Sequence, residues 1–158
     1  MKDEGAKPRP LGRGAVTSTL RTLLDRVEQG EGRDEELDVR LVAAFFAPAT
    51  ALVEASPFNG AWCIYDGTGR NGRPRLWECQ PLGHQPSPTS SIDTAVYLVE
   101  KVLPGWDHGY ESGDGIAFGK VWSQGRHDDT VVRGEARTPA RAILAALLRA
   151  KIAQEGEQ

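Results

Sequence analysis

The chain has 158 residues, 39% of them hydrophobic, with 19 Lys and Arg against 22 Asp and Glu for a formal charge of −3. That length suits one domain with a buried core, and the slight acidity lacks the broad basic footprint of a protein that holds duplex DNA non-specifically. No apolar run approaches the roughly 20 residues that cross a bilayer, and the start, MKDEGAKPRPLGRG, has no apolar signal-peptide core, so the expectation is a cytoplasmic protein with no membrane partner.

Residues 1–16 mix Lys, Pro, Arg and Gly with few large apolar groups. They are expected to form a flexible arm, because little burial is on offer to offset the entropy of ordering. From Thr17 the pattern changes: Leu20, Leu23, Leu24 and Val27 recur at helical spacing until Gly30 and Gly32 break it. Asp34 is placed to cap a second helix, with Glu35 and Glu36 at its positive end. Leu37, Leu41, Ala44 and Phe45 line one face of that helix and Pro48 stops it. The two should form a helical hairpin. AWCIYDG and PRLWECQ, divided by GTGRNGRP, predict paired strands, and the proline-rich QPLGHQPSP predicts an extended loop.

The stretch PTSSIDTAVYLVEKVLPGW predicts a third helix. Ser90, three residues before Asp93, matches a capping box; Ile92, Val96, Val99 and Leu103 share a face, and Pro104-Gly105 ends the run. Trp106, His108 and Tyr110 then alternate as on a strand, ESGDG turns the chain, and Ile116, Phe118, Lys120 and Trp122 share a face of the next strand. DTVVRGEA adds another strand after the charged loop SQGRHDD. Thr138 and Pro139 open a closing helix whose stripe is Ile143, Leu144, Leu147, Leu148 and Ile152. This order predicts an α+β fold: one domain over residues 17–154, an antiparallel β-sheet packed by two N-terminal helices, a central helix and a C-terminal helix, then a disordered tail over 155–158.

Cys63 and Cys79 sit among aromatic and apolar neighbours and are expected to be buried small hydrophobes. Zinc needs ligands at short paired spacings, which His84, His108 and His127 do not complete, so no metal is expected. No Gly-x-Ser-x-Gly elbow, P-loop or dinucleotide fingerprint is present, so neither a catalytic nucleophile nor a cofactor is expected. His127-Asp128-Asp129, joined by Asp107-His108, is a candidate metal or acid–base cluster. Against it stands a solvated charged turn, because consecutive residues on a strand point to opposite faces.

The aromatics carry more. Trp62, Tyr65, Trp77, Trp106, Tyr110 and Trp122 fall in or beside predicted strands, and Arg70, Arg73, Arg75 and Arg126 in or near the loops between them. Aromatic faces beside guanidinium groups can sandwich a base and hold its phosphates; the alternative is a core with arginines on the surface around it. The helix starts at SSID and TPAR offer amides to an anion, although a cap at the first uses the same donors. The candidate ligand-binding set is therefore Trp62, Arg70, Arg73, Trp77, Ser90, Ser91, Trp106, His108, Trp122 and Arg126.

Three segments, LRTLLDRVEQGEGRDEELDVRLVAAF, PTSSIDTAVYLVEKVLPGW and EARTPARAILAALLRAK, in this order and at these separations, resemble the phage ABA (alpha-beta-alpha) sandwich domain family of small phage and prophage proteins. The resemblance spans about residues 18–152 and rests on helix caps and core positions. It implies helices packed around a β-sheet and carries over no catalytic residue; the Arg- and Pro-rich start before Thr17 departs from the family's short start. With the aromatic and arginine set, it leads to the expectation of a non-catalytic phage accessory protein in the cytoplasm of a bacterial host. The first reading is a counter-defence protein that binds and sequesters a nucleotide-derived immune signal, of cyclic nucleotide or cyclic ADP-ribose type, as a homo-oligomer. The alternative is a protein-binding inhibitor or adaptor acting on a host or defence enzyme. A third reading is an enzyme that degrades such a signal, with His108 or His127 as acid or base. Aromatics lining a concave pocket favour sequestration, and aromatics exposed on one flat patch favour a protein partner.

Overall fold

The computed structural model describes residues 13–68, 72–79, 82–83, 85–124 and 130–157. Ten elements follow in order: α1 (Arg13–Gln29), α2 (Glu35–Phe46), β1 (Leu52–Ala55), β2 (Trp62–Thr68), β3 (Pro74–Trp77), α3 (Ile92–Val102), β4 (Trp106–Gly113), β5 (Ile116–Ser123), β6 (Val131–Ala136) and α4 (Pro139–Gly156). The fold is α+β with antiparallel strands, as expected, but the strands form two sheets of three, β1-β2-β3 and β4-β5-β6, rather than one.

Local chemistry sets most element ends. Asp34 caps α2 by accepting from Leu37 N, Ser91 caps α3 by accepting from Thr94 N, and Thr138 caps α4 by accepting from Arg141 N. The cap of α3 is thus Ser91 and not Ser90; Ser90 instead donates to Ser87 O at 3.4 Å, and Asp93 falls one position short of a capping box. Asp114 (φ 51) and Gly115 (φ 78) are both left-handed and make the two-residue turn between β4 and β5, the geometry that matches the twist of paired strands. At the ends, α1 starts at Arg13, inside the expected arm, and α4 runs to Gly156, inside the expected tail. The last turn of α4 is supported by a Lys151–Glu155 pair at 3.9 Å.

Helix α4 is the centre of the molecule. Every residue from Ala140 to Leu148 is buried, because β5 and β6 lie against one side of the helix and α1 and α3 against the other. The helix comes unusually close to the sheet at Gly119 and Gly134, which face each other across β5 and β6. A methyl group on Gly119 would overlap the carbonyl of Ala142, and one on Gly134 would overlap Ala146 N and Ala142 O. Two facing glycines thus form a notch that receives the small residues Ala142, Ala145 and Ala146. Helix α2 covers β1 and β2 in turn, and one continuous apolar cluster joins Val27, Leu37, Ile64, Leu98, Val121 and Leu144.

Candidate functional site

Register separates the two faces of the β4–β6 sheet. Residues directly opposite on paired strands share a face. His108 lies opposite Val121, and Tyr110 opposite Gly119, so with Trp106 they belong to the side of α4. The other side carries three rows: Asp107, Trp122, Val131; Gly109, Lys120, Arg133; and Glu111, Phe118, Glu135. No described residue forms a layer over these rows. Phe118 is 50% exposed, and Val131 and Ile116 are exposed with it.

This outer face has internal order. Gly109 leaves room for the Trp122 ring, whose edge would stand 3.5 Å from a Cβ there. The Lys120 ammonium sits over that ring, 5.7 Å from its centroid, and 3.8 Å from Glu111, so the tryptophan is flanked by charge as well as by backbone. A hollow of about 300 Å³ opens beside it, lined by Glu111, Phe118, Lys120 and Arg133 of this face together with Tyr110 and Gly119, the neighbouring residues whose pair belongs to the other face.

The predicted ligand set does not come together as one site. Trp62 and Trp77 belong to the β1–β3 sheet, on its core-facing side: Trp77 is opposite Ile64, two residues along from Trp62. Both are half-buried against the core, and the cation over Trp62 is Arg40 of α2, 5.8 Å from the ring centroid. Trp106 and Trp122 lie on opposite faces of the other sheet. Arg73 is an exposed residue before β3, and Arg75 is paired with Asp66 at 3.3 Å. Ser91 is used as a cap, and His108 is half-buried beside Val121. Arg70, Arg126, His84 and the cluster His127-Asp128-Asp129 lie outside the described residues. Among the described residues, no three His, Cys, Asp or Glu side chains gather as a metal set. Cys63 and Cys79 are buried, as their neighbours implied, and burial pushes the Cys79 thiol up.

Two buried ionisable groups were not visible in the sequence pattern. The Arg141 guanidinium, fully enclosed, donates to Gly32 O at 3.0 Å, to Arg26 O at 3.0 Å and to Val27 O at 3.2 Å. It thereby ties the last turn of α1 and the turn after it to α4, sharing Arg26 O with Gly30 N. Asp38, in the first turn of α2, is 0% exposed. One of its oxygens accepts from Thr89 N at 2.7 Å, while Oδ2 has no hydrogen-bond partner and lies 3.9 Å from Arg33 Nε. Burial pushes its carboxyl from 3.8 up to about 6, against the pull of Thr89 and Arg33. Perturbed carboxyls of this kind often mark reaction centres. This one is sealed from solvent and holds the segment before α3 onto α2, which is structural work. The signal in sequence would have been a polar residue inside an apolar stripe: Asp38 between Leu37 and Val39, and Arg141 between Ala140 and Ala142.

No described helix is long and apolar enough to cross a membrane. Set against known proteins, the chain matches no family model, no curated protein and no solved structure.

Proposed function

We propose that this protein acts by binding rather than by making or breaking bonds, and that it binds a protein through the outer face of the β4–β6 sheet. One observation carries the reading: Phe118 and Trp122 alternate with Lys120 on the central strand of a sheet whose outer side has no covering layer among the described residues. Two aromatic rings on one strand, with Lys120 between them and both signs of charge beside them, here Asp107, Glu111, Arg133 and Glu135, offer the aromatic anchors and polar partners that a protein interface uses. The exposure of Phe118, Ile116 and Val131 along one open sheet face favours a macromolecular partner over an engulfed small molecule. The resemblance of the helical segments to phage ABA sandwich proteins supports a phage accessory role in the cytoplasm of a bacterial host, with a host or defence enzyme as the target.

The signal-sequestering reading keeps one supporting feature. Lys120 and Arg133 stand side by side next to Phe118 at the hollow of about 300 Å³, where a base could stack on the ring and a phosphate could meet both cations. The same experiment separates the two. Wild type and a Phe118→Ser/Trp122→Ser variant are purified from the bacterial host, and each preparation is weighed by native mass spectrometry. A protein partner held by wild type and lost from the folded variant is the expected result. No partner, together with binding heat for cyclic oligonucleotides or cyclic ADP-ribose isomers that Lys120→Ala and Arg133→Ala remove, would replace it with sequestration. Turnover of such a nucleotide would eliminate both.

A further inference from the structure

The proline-rich stretch before α3 forms a strap across the start of α2. In residues 85–90, QPSPTS, Pro86, Pro88 and Thr89 are buried, although none of the stretch belongs to a helix or strand. Among the described residues, Thr89 alone ties the strap to another element by hydrogen bonds, and it does so in both directions. Asp34 N donates to Thr89 Oγ1 at 3.0 Å, and Thr89 N donates to Asp38 Oδ1 at 2.7 Å. The other bonds of the strap are its own, with Ser90 N and Ser91 N both donating to Ser87 O. Gly83, left-handed at φ 69, lies before it and the Ser91 cap after it, so the chain turns at both ends.

The strength of this tie depends on the charge of Asp38. Its side chain is 0% exposed and its Oδ2 has no hydrogen-bond partner, so the ionised form is buried with one oxygen bare, which favours the neutral form. The charges that face it do not reverse this. Arg33, on the turn before α2, stands 3.9 Å away and also reaches Glu35, while Asp34 repels the charge from the cap of the same helix. Arg141 of α4 lies within electrostatic reach, but its donors are committed to carbonyls in and after α1. Arg26 of α1 is paired with Asp34 and Glu36, and the strap residues 85–90 bring no charge. With the strap lifted, water reaches both carboxylate oxygens and the ionised form loses its penalty.

Lifting the strap is therefore coupled to the loss of a proton. Between 3.8 and about 6 the closed form holds a proton that the open form does not, so opening is suppressed below the lower value and favoured as pH rises through the upper one. We infer that the strap is a pH-governed latch: ionisation of Asp38 frees residues 85–90 from α2, so that the cleft between the start of α2 and the β1–β2 hairpin opens more readily at neutral pH than in acid. That cleft is walled by Arg33 and Glu35, by Trp62, and by Gln85 and Pro86 of the strap itself. Lifting the strap thus uncovers an aromatic ring beside one basic and one acidic side chain. No residue of the outer β4–β6 face takes part, so the latch stands or falls separately from the proposed function.

Native-state hydrogen exchange of the whole chain tests it. The Thr89 and Asp34 amides report the tie, and the Leu144 and Leu147 amides of α4 report unfolding of the whole molecule. At neutral pH the first pair is expected to be less protected than the second. Between about pH 5 and pH 7.5 the protection of the first pair should fall about 10-fold, the ratio implied by a carboxyl that moves from about 6 to 3.8 on opening. Asp38→Asn keeps the shape of the side chain and an acceptor for Thr89 N, and in that variant the protection of both amides should stay level over the same range. Thr89→Val removes the acceptor for Asp34 N, so it should raise opening at every pH and leave the pH dependence in place. Equal protection of the two pairs at neutral pH overturns the proposal, and so does a wild-type protection that does not fall, or a fall that Asp38→Asn retains.

Discussion

Replacing Gly119 by alanine tests the central packing claim directly. The added methyl would lie within the Ala142 carbonyl and 2.5 Å from Ile143 N, where contact between such atoms needs about 3.5 Å. The neighbours are helix backbone, which cannot swing aside, so α4 has to lift from the sheet by about 1 Å. Its far side is packed against α1 and α3, so the lift also disturbs those contacts. Overpacking of this kind costs about 3 kcal/mol, or a fall in melting temperature of about 10 °C for a chain of this size. Urea denaturation followed by far-UV circular dichroism measures it. Gly113→Ala, where a methyl meets nothing within 4 Å, is the control and should be close to neutral. Gly134→Ala pushes on the same helix from the neighbouring strand, with its methyl 2.7 Å from Ala145 Cβ. Since one displacement relieves both clashes, the double variant should lose less than the two single losses combined. A Gly119→Ala protein within 0.5 kcal/mol of wild type, or strict additivity with Gly134→Ala, would refute the notch.

Two further outcomes follow from the buried charges. Asp38 has a folded pKa of about 6 against an ordinary 3.8, so the native state binds more protons than the unfolded chain between those values. The stability this gives is complete below the lower value and is lost as pH rises through about 6. Asp38→Asn should therefore be more stable than wild type at pH 7, by up to about 3 kcal/mol, and the advantage should shrink as pH is lowered toward 4; an advantage that does not change with pH would contradict the burial argument. Arg141→Met keeps the bulk of the side chain and removes all three donations to the carbonyls of Arg26, Val27 and Gly32. Losing these charge-assisted donors, with Val27 O the acceptor left buried, should destabilise by roughly 3 kcal/mol, read by chemical denaturation, with the fastest hydrogen exchange appearing at the end of α1; a loss below about 1 kcal/mol would mean that water replaces the guanidinium there.

Much of the fold was legible because its signals are local. Asp34 and Thr138 cap the helices they were expected to cap, Pro48 and Pro104-Gly105 lie just past the ends they were expected to mark, and the β4–β5 turn falls at Asp114-Gly115. β1 leaves no pattern in the sequence because LVEA is too short for alternation to register and holds its place through pairing with β2. The sequence pattern points to Ser90 as the cap of α3 where Ser91 serves, since two adjacent serines offer the same chemistry one residue apart and the choice depends on where the chain enters the helix.

The candidate site shows the division most clearly. Alternation along β5 already placed Phe118, Lys120 and Trp122 on one face, but nothing in the strand says which of its faces meets a helix. That was decided by Gly119 and Gly134, which let α4 approach their side and leave the aromatic side open. In the same way, the residues around the tryptophans were beyond reach of the sequence. Trp62 found Arg40 on α2, and Trp106 and Trp122 were parted by the pleat of a sheet. Periodicity and capping act within one or two turns of chain and are written in neighbouring residues; contacts such as Arg141 with the end of α1, more than one hundred residues away, exist only once the elements have packed.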